Sequence, residues 1–481
     1  MKVLGINDCS HDAAIALVDE ENVLFAAHAE RYSRKKNDYF LNSEVANEAM
    51  SYGDPSIIGY FENRSLKRAR TLIHGGVNGQ YKGLYKKNLN SFKSIKEYQS
   101  DHHLSHAAAG YYTSTFKEAA VVVVDAIGEF ETATIWHAKD EKLIKKYSLK
   151  YPYSFGLFYS AYTEFLGLLP GTEEYILMGM AAFGDSEKYF SYINDSFPSF
   201  EYQAQSFHNG VQDFPYEIVS QQDKFDIAAA VQRVFENRLI EFMFLARSIT
   251  GCQNLVYMGG CALNCSANTK LLKLWKDIWI MPNPGDAGSS LGAALLYHQK
   301  HINWLGPYLG HNIPGEYPVD KIILELQRSS VVAVASGRAE FGPRALGNRS
   351  ILADPRDSSV KDMVNTVKKR EMFRPFAPVV TEESASEWFE IDSPSPYMQY
   401  AVKCRRPEEI PSVVHVDGTS RVQTVNEHQH PGLYHTLKRW EEITDIPVLL
   451  NTSLNIKGEP LLNSKVDMIR WKKVNPHVKI M

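Results

Sequence analysis

The sequence predicts an α/β protein in which a strand, turn and strand module occurs twice, ahead of a smaller domain dense in arginine. Three observations carry this. Residues 1–30 alternate as an apolar strand to Ile6, a polar turn over 7–12, a strand over 13–18, a turn at Asp19-Glu20-Glu21-Asn22 and a third strand over 23–27. The same order returns as a strand over 119–124, a turn over 125–129 and a strand over 132–136. Residues 225–300 then read as helix, strand, turn and helix. In that stretch 227–249 has helical spacing, 254–258 and 279–281 are short strands, and 287–297 is a small-residue helix suited to close packing.

A repeated module with an acidic residue after its first strand is the pattern of a duplicated actin-like ATPase fold, whose two hairpins face phosphate. Three prolines (Pro307, Pro314, Pro318) and nearby glycines read as a linker, assigned to 313–330. This divides the chain into a larger domain over 1–312 and a second over 331–481.

With 481 residues, 44% hydrophobic and 22% charged, the chain can build two or three cores. No run of 18 apolar residues appears, and Met1-Lys2-Val3-Leu4-Gly5-Ile6 is not a signal-peptide pattern, so a cytoplasmic protein without membrane contact is expected. Five scattered cysteines (Cys9, Cys252, Cys261, Cys265, Cys404) argue for reduced thiols. Cys261 and Cys265 read as small buried residues ahead of zinc ligands. The net charge of −4 hides an asymmetry: residues 64–96 hold nine cations (Arg64, Lys67, Arg68, Arg70, Lys82, Lys86, Lys87, Lys93, Lys96) and no acid. Tyr81, Tyr85 and Phe92 interleave with them, so a polyanionic partner such as nucleic acid and a solvated basic face are both open readings.

In Asp101-His102-His103-Leu104-Ser105-His106, a helix would point His102 and His106 the same way. Asp125 ends the apolar run Val121-Val122-Val123-Val124, and Asp286 stands at the glycine-rich turn Pro284-Gly285-Asp286-Ala287-Gly288. Two imidazoles with one or two carboxylates suit an Fe(II)-, Mn- or Zn-type ion rather than calcium; a coincidental histidine pair is the alternative. Gly259-Gly260 after a strand admits a phosphate beside the backbone and is also ordinary turn punctuation. In the second domain, Arg338, Arg344 and Arg349, then Lys368, Lys369, Arg370 and Arg374, then Arg421, precede the strand that delivers Asn451-Thr452-Ser453-Leu454-Asn455. Guanidiniums grip phosphate and carboxylate oxygens in pairs, so these cations suggest a pocket for a polyphosphate or acyl phosphate, with structural ion pairing as the alternative.

These segments occur in an order that resembles one family. Ser10-His11-Asp12-Ala13, Glu30-Arg31, His102-His103-Leu104-Ser105-His106-Ala107, Gly259-Gly260 with Asn264, and Gly285-Asp286-Ala287-Gly288 come first. Phe341-Gly342-Pro343-Arg344-Ala345-Leu346-Gly347-Asn348-Arg349-Ser350, Phe373-Arg374-Pro375-Phe376-Ala377-Pro378 and Asn451-Thr452-Ser453 follow. Together they resemble the O-carbamoyltransferase family of antibiotic and nodulation-factor biosynthesis, over nearly the whole chain.

The resemblance implies an actin-like, metal-containing transfer domain and a smaller α+β YrdC-like domain, similar to threonylcarbamoyl-adenylate synthase. The smaller domain would make carbamoyl adenylate from carbamoyl phosphate and ATP with Mg²⁺. The larger would pass the carbamoyl group to an acceptor hydroxyl beside iron. Carried over by position, His102, His106, Asp125 and Asp286 would ligate the ion; His11 would be the general base, oriented by Asp12, with Lys36 nearby. Gly259, Gly260 and Asn264 would approach the adenylate, and Lys368, Arg374, Arg421, Asn451 and Ser453 would hold carbamoyl phosphate and ATP. Arg338, Arg344 and Arg349 match family arginines. Ile176 stands where the family commonly has lysine. The acceptor is expected to be a sugar hydroxyl or, through the basic segment, a hydroxymethylated nucleobase in DNA; a homodimer is also open. A tRNA threonylcarbamoylation-type enzyme and a nucleotide-dependent regulatory protein are the competing readings.

Overall fold

Val3–Asn7 (β1) and Ala14–Val18 (β2) are buried at every position, and Val23–His28 (β3) from its third residue onward. Unbroken apolar runs of this kind are stable as strands when both faces of the sheet are covered. β1 pairs antiparallel with β2 and parallel with Ile57–Tyr60 (β4), which pairs parallel with Lys96–Gln99 (β5). The resulting order is β3-β2-β1-β4-β5. The computed structural model describes residues 1–74, 85, 89, 92–370 and 374–481.

The second sheet repeats the first. Glu118–Val124 (β6) pairs antiparallel with Glu131–Lys139 (β7), which pairs antiparallel with Lys142–Lys150 (β8). On its other side β6 runs parallel to Asn254–Met258 (β9), which is followed by Asp277–Trp279 (β10), giving β10-β9-β6-β7-β8. The two five-stranded sheets therefore share one strand order, and β2-β1-β4-β5 matches β7-β6-β9-β10 in its directions, so the fold is α/β and duplicated. Each repeat delivers a helix after its fifth strand: His102–Thr113 after β5 and Asp286–His298 after β10. These helices meet closely. A Cβ at Gly292 would lie 1.8 Å from the Ser105 carbonyl oxygen, so only glycine permits the approach.

The chain forms two compact units, one of Met1–Phe25 with Tyr39–Trp304 and one of Ala26–Asp38 with Leu305–Met481. The second unit carries a six-stranded mixed sheet. It is built from Val331–Ala335 (β12), Arg349–Ala353 (β14), Ala377–Thr381 (β15), Tyr400–Lys403 (β16), Thr419–Val425 (β17) and Val448–Ser453 (β18), in the order β12-β14-β18-β15-β17-β16. Helices Val319–Ser329 and Pro431–Thr444 cover one face through Ile322, Leu326, Leu437 and Trp440, which pack on Val379 and Leu449.

The stretch 313–330, read from its prolines as a linker, is structured. Tyr308–Ile313 (β11) pairs with Gly337–Glu340 (β13), and helix Val319–Ser329 buries Ile322, Ile323 and Leu326. Its apolar stripe at helical spacing outweighs the turn residues on either side.

Part of the basic segment is paired within the fold. Arg64 pairs with Glu97 at 2.5 Å and lies over the Tyr60 ring, Lys67 pairs with Glu62 at 2.7 Å, and Arg70 donates to the Gly128 carbonyl. The acidic partners flank the acid-free window on either side, which is why its composition looks unpaired. Tyr85 and Phe92, interleaved with the cations, are buried. Arg68, Lys93 and Lys96 are exposed, while Tyr81, Lys82, Lys86 and Lys87 lie outside the described residues. No helix among the described residues is long and apolar enough to cross a membrane.

Candidate functional site

Three segments of the first unit converge on one point. Helix His102–Thr113 places His102 and His106 one turn apart, with Nε2 atoms 3.1 Å from each other. Asp125, the first residue after β6, turns Oδ2 to within 3.3 Å of both imidazoles. Asp286, at the start of its helix, brings Oδ1 to 3.4 Å from His102 and 3.3 Å from His106. His102, His106 and Asp286 are buried, and the Asp125 side chain keeps 13% of its exposure.

Other contacts fix each donor. The Asp125 Oδ1 accepts the amide N–H of Ala126 at 2.8 Å and of Gly260 at 3.3 Å. Gly259, with φ +92°, has no room for a Cβ, which would lie 2.1 Å from the Val124 carbonyl oxygen; the glycine pair lets this loop close on Asp125. His106 Nδ1 donates to the Pro284 carbonyl at 3.0 Å, which leaves the Nε2 lone pair facing the cluster. Asn7 donates to the Asp286 main-chain carbonyl at 3.0 Å.

Burial opposes charge on His102, but Asp286 and Asp125 outweigh it and hold its pKa well above the ordinary imidazole value; His106 is raised as well. Burial and mutual repulsion push the two carboxyls up, yet the histidines bring both below the usual carboxylate range. Ligand atoms about 2.1 Å from one ion stand roughly 3.0–3.4 Å apart in octahedral or tetrahedral geometry. The observed separations of 3.1–3.4 Å fit a shared ion, and two nitrogens with two oxygens suit a transition-type divalent metal.

The rim of this cluster comes from the turn after β1. His11 Nε2 lies 3.5 Å from Asp286 Oδ2, its Nδ1 lies 3.2 Å from Asp12 Oδ2, and its ring is half exposed. Ser10 donates to Asp286 Oδ2 at 3.4 Å. Lys36 is exposed and belongs to the other compact unit. Asn264 is buried in a reciprocal amide pair with Gln232, both bonds 3.0 Å, and caps the next helix through the Ala267 N–H. Its amide is thus engaged within the fold. Ile176 is buried on helix Glu174–Met180. The motif's middle histidine is a core group: His103 Nδ1 meets the Thr134 hydroxyl at 3.0 Å, and burial holds its pKa well below the ordinary value.

Glu129 was not singled out from the sequence. Buried in the turn after β6, its carboxylate accepts the His102 N–H at 3.0 and 3.2 Å and the Asn63 N–H at 2.6 Å. Asp101, which precedes the helix, makes no side-chain cap bond, so Glu129 supplies the cap from a distant turn. A second set of donors, Glu118, His137 and Cys252, lies at the end of the β6/β7 pair, where Lys139 already pairs with Glu118.

Two family models match the chain: carbamoyltransferase N-terminus over residues 71–295 and carbamoyltransferase C-terminus over residues 324–477. The chain belongs to the carbamoyltransferase family. Nodulation protein NolO of Bradyrhizobium diazoefficiens is 33% identical over 77% of this chain and 75% of its own length. The 3'-hydroxymethylcephem-O-carbamoyltransferase of Streptomyces clavuligerus is 29% identical over 97% of this chain and 96% of its own. Among solved structures, full-length HypF in its phosphate- and nucleotide-bound form aligns at a TM-score of 0.39 and 14% identity, covering 62% of this chain and 46% of that one.

In the second unit of this carbamoyltransferase the cations divide. Lys368, buried at the end of helix Ser359–Lys368, donates to the Ser453 carbonyl at 2.5 Å, the Ser453 hydroxyl at 2.8 Å and Asn455 Oδ1 at 2.6 Å. Burial, with Arg370 and Arg374 nearby, pushes its pKa well down. Asn451 donates to Gln423 Oε1 at 2.6 Å and to the Ala345 carbonyl at 3.1 Å. Arg421, two residues before Gln423 on β17, projects from the same face and is half-buried, as is Arg374.

Arg349 has another use. Its Nε, Nη1 and Nη2 donate to the main-chain carbonyls of Ser336, Gly337, Asn348, His311 and Asn463. Fully buried, with its pKa lowered to about 10 by burial, it ties strands together and has no donor left to offer a ligand. Arg338 likewise donates to the carbonyls of Leu309 and Gly310. Arg344 differs, since it stands half-buried at a loop tip beside the exposed Pro343.

Proposed function

We propose that this carbamoyltransferase carbamoylates an acceptor hydroxyl in two stages, making carbamoyl adenylate in the second unit and consuming it at the four-residue cluster of the first. The convergence of His102, His106, Asp125 and Asp286 within hydrogen-bonding distance of one another carries this reading. Those four residues would hold a divalent ion of the Fe(II), Mn or Zn type. When bound, such an ion polarises an acyl or phosphoryl oxygen and offsets the negative charge that develops in acyl transfer.

The chain's own groups supply the rest. His11, open to solvent on one side and oriented by Asp12, takes the proton of the acceptor hydroxyl. Partial desolvation opposes its charge, but Asp286 and Asp12 raise its pKa; engaging Asp286 with a cation removes one of them, which favours the neutral base. The turn at Gly259 and Gly260 lies against Asp125, where a phosphate could approach the backbone.

For the second unit we read a YrdC-like domain that binds carbamoyl phosphate and ATP with Mg²⁺. Lys368, Ser453, Asn451, Arg421 and Arg374 would hold the anions, and Arg344 would reach them from its loop. Water would first cleave carbamoyl phosphate to carbamate and inorganic phosphate; a carbamate oxygen then attacks the α-phosphorus of ATP and expels pyrophosphate, leaving a mixed anhydride activated for transfer to an alcohol. Of the two acceptor classes considered, a sugar-type hydroxyl is favoured over a nucleobase, because Arg64, Lys67, Tyr85 and Phe92 are engaged within the protein.

The test is to incubate the protein with carbamoyl phosphate, ATP and a panel of hydroxylated sugars, nucleosides and DNA. Mass spectrometry should find one added carbamoyl group on a sugar-type acceptor, with AMP and pyrophosphate released. ADP as the nucleotide product, or no dependence on ATP, would overturn the adenylate route.

A further inference from the structure

The eight-residue loop Phe341-Gly342-Pro343-Arg344-Ala345-Leu346-Gly347-Asn348 carries a single charged side chain, Arg344, and is anchored along most of its length. Glu340 Oε1 accepts the N–H groups of Leu346 at 2.8 Å, Asn348 at 2.9 Å and Arg349 at 3.1 Å. The Leu346 carbonyl accepts from the Tyr308 hydroxyl at 3.0 Å and from Gln423 at 3.2 Å, and the Gly347 carbonyl from the Tyr317 hydroxyl at 3.1 Å. Arg31 donates to the Gly342 carbonyl at 2.6 Å. Loops are ordinarily the mobile parts of a fold, so this density of main-chain anchors calls for a reason.

His430 joins these anchors to the body of the unit. Its Nδ1 accepts the Leu433 N–H at 2.9 Å, capping helix Pro431–Thr444. The ring proton is therefore on Nε2, which donates to Asn348 Oδ1 at 2.8 Å; Asn348 Nδ2 in turn donates to the Arg338 carbonyl. The ring stands edge-on between Tyr308 and Tyr317, with centroids 5.0 and 4.9 Å away, so both loop-binding tyrosines pack on it. At Gly347, with φ +125°, a Cβ would meet His430 Nε2 at 2.9 Å, which leaves no room for the loop to shift toward the ring.

We propose that His430 is a positioning residue for adenylate formation, holding the loop through Asn348, Tyr308 and Tyr317 so that Arg344 is presented to the bound anion. This rests on the reading of the second unit as the adenylate-forming one. An arginine on a fixed base loses less freedom on gripping a phosphate than one on a moving loop, and displacement of a binding group by about 1 Å can cost a hundredfold in rate. His430 itself touches no substrate in this account.

The experiment is carbamoyl-phosphate-dependent exchange of labelled pyrophosphate into ATP, measured for the full-length wild type, His430→Ala, Arg344→Ala and the double variant. Each single substitution should lower exchange about tenfold or more, and the double variant should match Arg344→Ala, because His430 has nothing left to position. His430→Asn, which keeps an acceptor for the Leu433 N–H but has neither the ring between the tyrosines nor the reach of Nε2 to Asn348, should fold with its helix cap intact and still lose exchange as His430→Ala does. Should His430→Ala fail to fold, Tyr317→Phe removes one loop bond alone and should show the same dependence on Arg344. Losses that multiply in the double variant, or full exchange in His430→Ala, overturn the positioning role alone. No exchange in the wild type overturns the adenylate reading and this inference with it.

Discussion

The four-residue cluster of the first unit and the arginine-rich string of the second teach opposite lessons about charge in a sequence. The cluster draws on His102, His106, Asp125 and Asp286, which are far apart in the chain yet turn their polar atoms on one another. Arg338, Arg344 and Arg349 lie within twelve residues, yet they part company in the fold. Arg349 gives all its donors to main-chain carbonyls, Arg338 binds β11, and Arg344 stands at a loop tip. Charges crowded in sequence are thus sent by the fold to different environments, while dispersed ones are gathered. The second unit should therefore contain arginines whose loss costs mainly stability and arginines whose loss costs mainly chemistry. The first unit's cluster should show only the second behaviour, together with metal content.

The largest effect expected is at the cluster. His106→Ala should lose bound metal by elemental analysis and lower carbamoyl transfer about a thousandfold, while pyrophosphate exchange in the second unit persists. Loss of exchange in the same variant would break the division of labour. Lys368→Ala sharpens the contrast from the other side. Its exchange should fall by about two orders of magnitude with metal retained, and transfer should return when carbamoyl adenylate is supplied.

Next comes the arginine pair. Arg349→Ala leaves five buried carbonyls short of a donor and should destabilise the protein by about 3–5 kcal/mol. Arg344→Ala, at a half-buried loop position, should cost less than that. Denaturant unfolding followed by tryptophan fluorescence measures both, and equal losses would erase the distinction. Glu129→Gln, which weakens the cap on the His102 amide but not the ligands, should lower metal affinity about tenfold by competition with a chelator.

A last effect is one of pH. Burial lowers the His430 pKa from 6.5 to about 4. A histidine depressed in the folded state binds fewer protons folded than unfolded between those values, so its contribution is complete above pH 6.5 and fades as pH falls toward 4. The loss is at most about 3 kcal/mol, and thermal unfolding from pH 7 to 5 should show a shallower slope in His430→Asn than in the wild type.

Much of the first unit was legible because its signals are local. Val121–Val124 buried on both faces of a sheet reads as an apolar run, and the turn after it begins with Asp125. The strand order repeats because each half obeys the same alternation, so the duplication is visible twice. The spacing of His102 and His106 was equally local, since one helical turn is written in the chain. Glu129 was not legible as the cap of that helix, because nothing near it in sequence marks a carboxylate that binds an amide 27 residues back. His430 left no trace either, since Asn348, Tyr308 and Tyr317 reach it only across the fold. The pairing of Arg64 and Lys67 was hidden because their partners, Glu97 and Glu62, stand just beyond the ends of the basic segment.

By itself, the sequence determined which segments form strands and helices, the two matching modules, and the kinds of donor available at each turn. Tertiary structure alone decided which arginines bind carbonyls, which aromatic rings are buried, and that two imidazoles and two carboxylates face one another. The reason is the range of the forces involved. Backbone periodicity and turn chemistry act between near neighbours and are written in order along the chain. A buried polar group, in contrast, takes its role from whatever donor or acceptor the packed fold brings within about 3 Å of it.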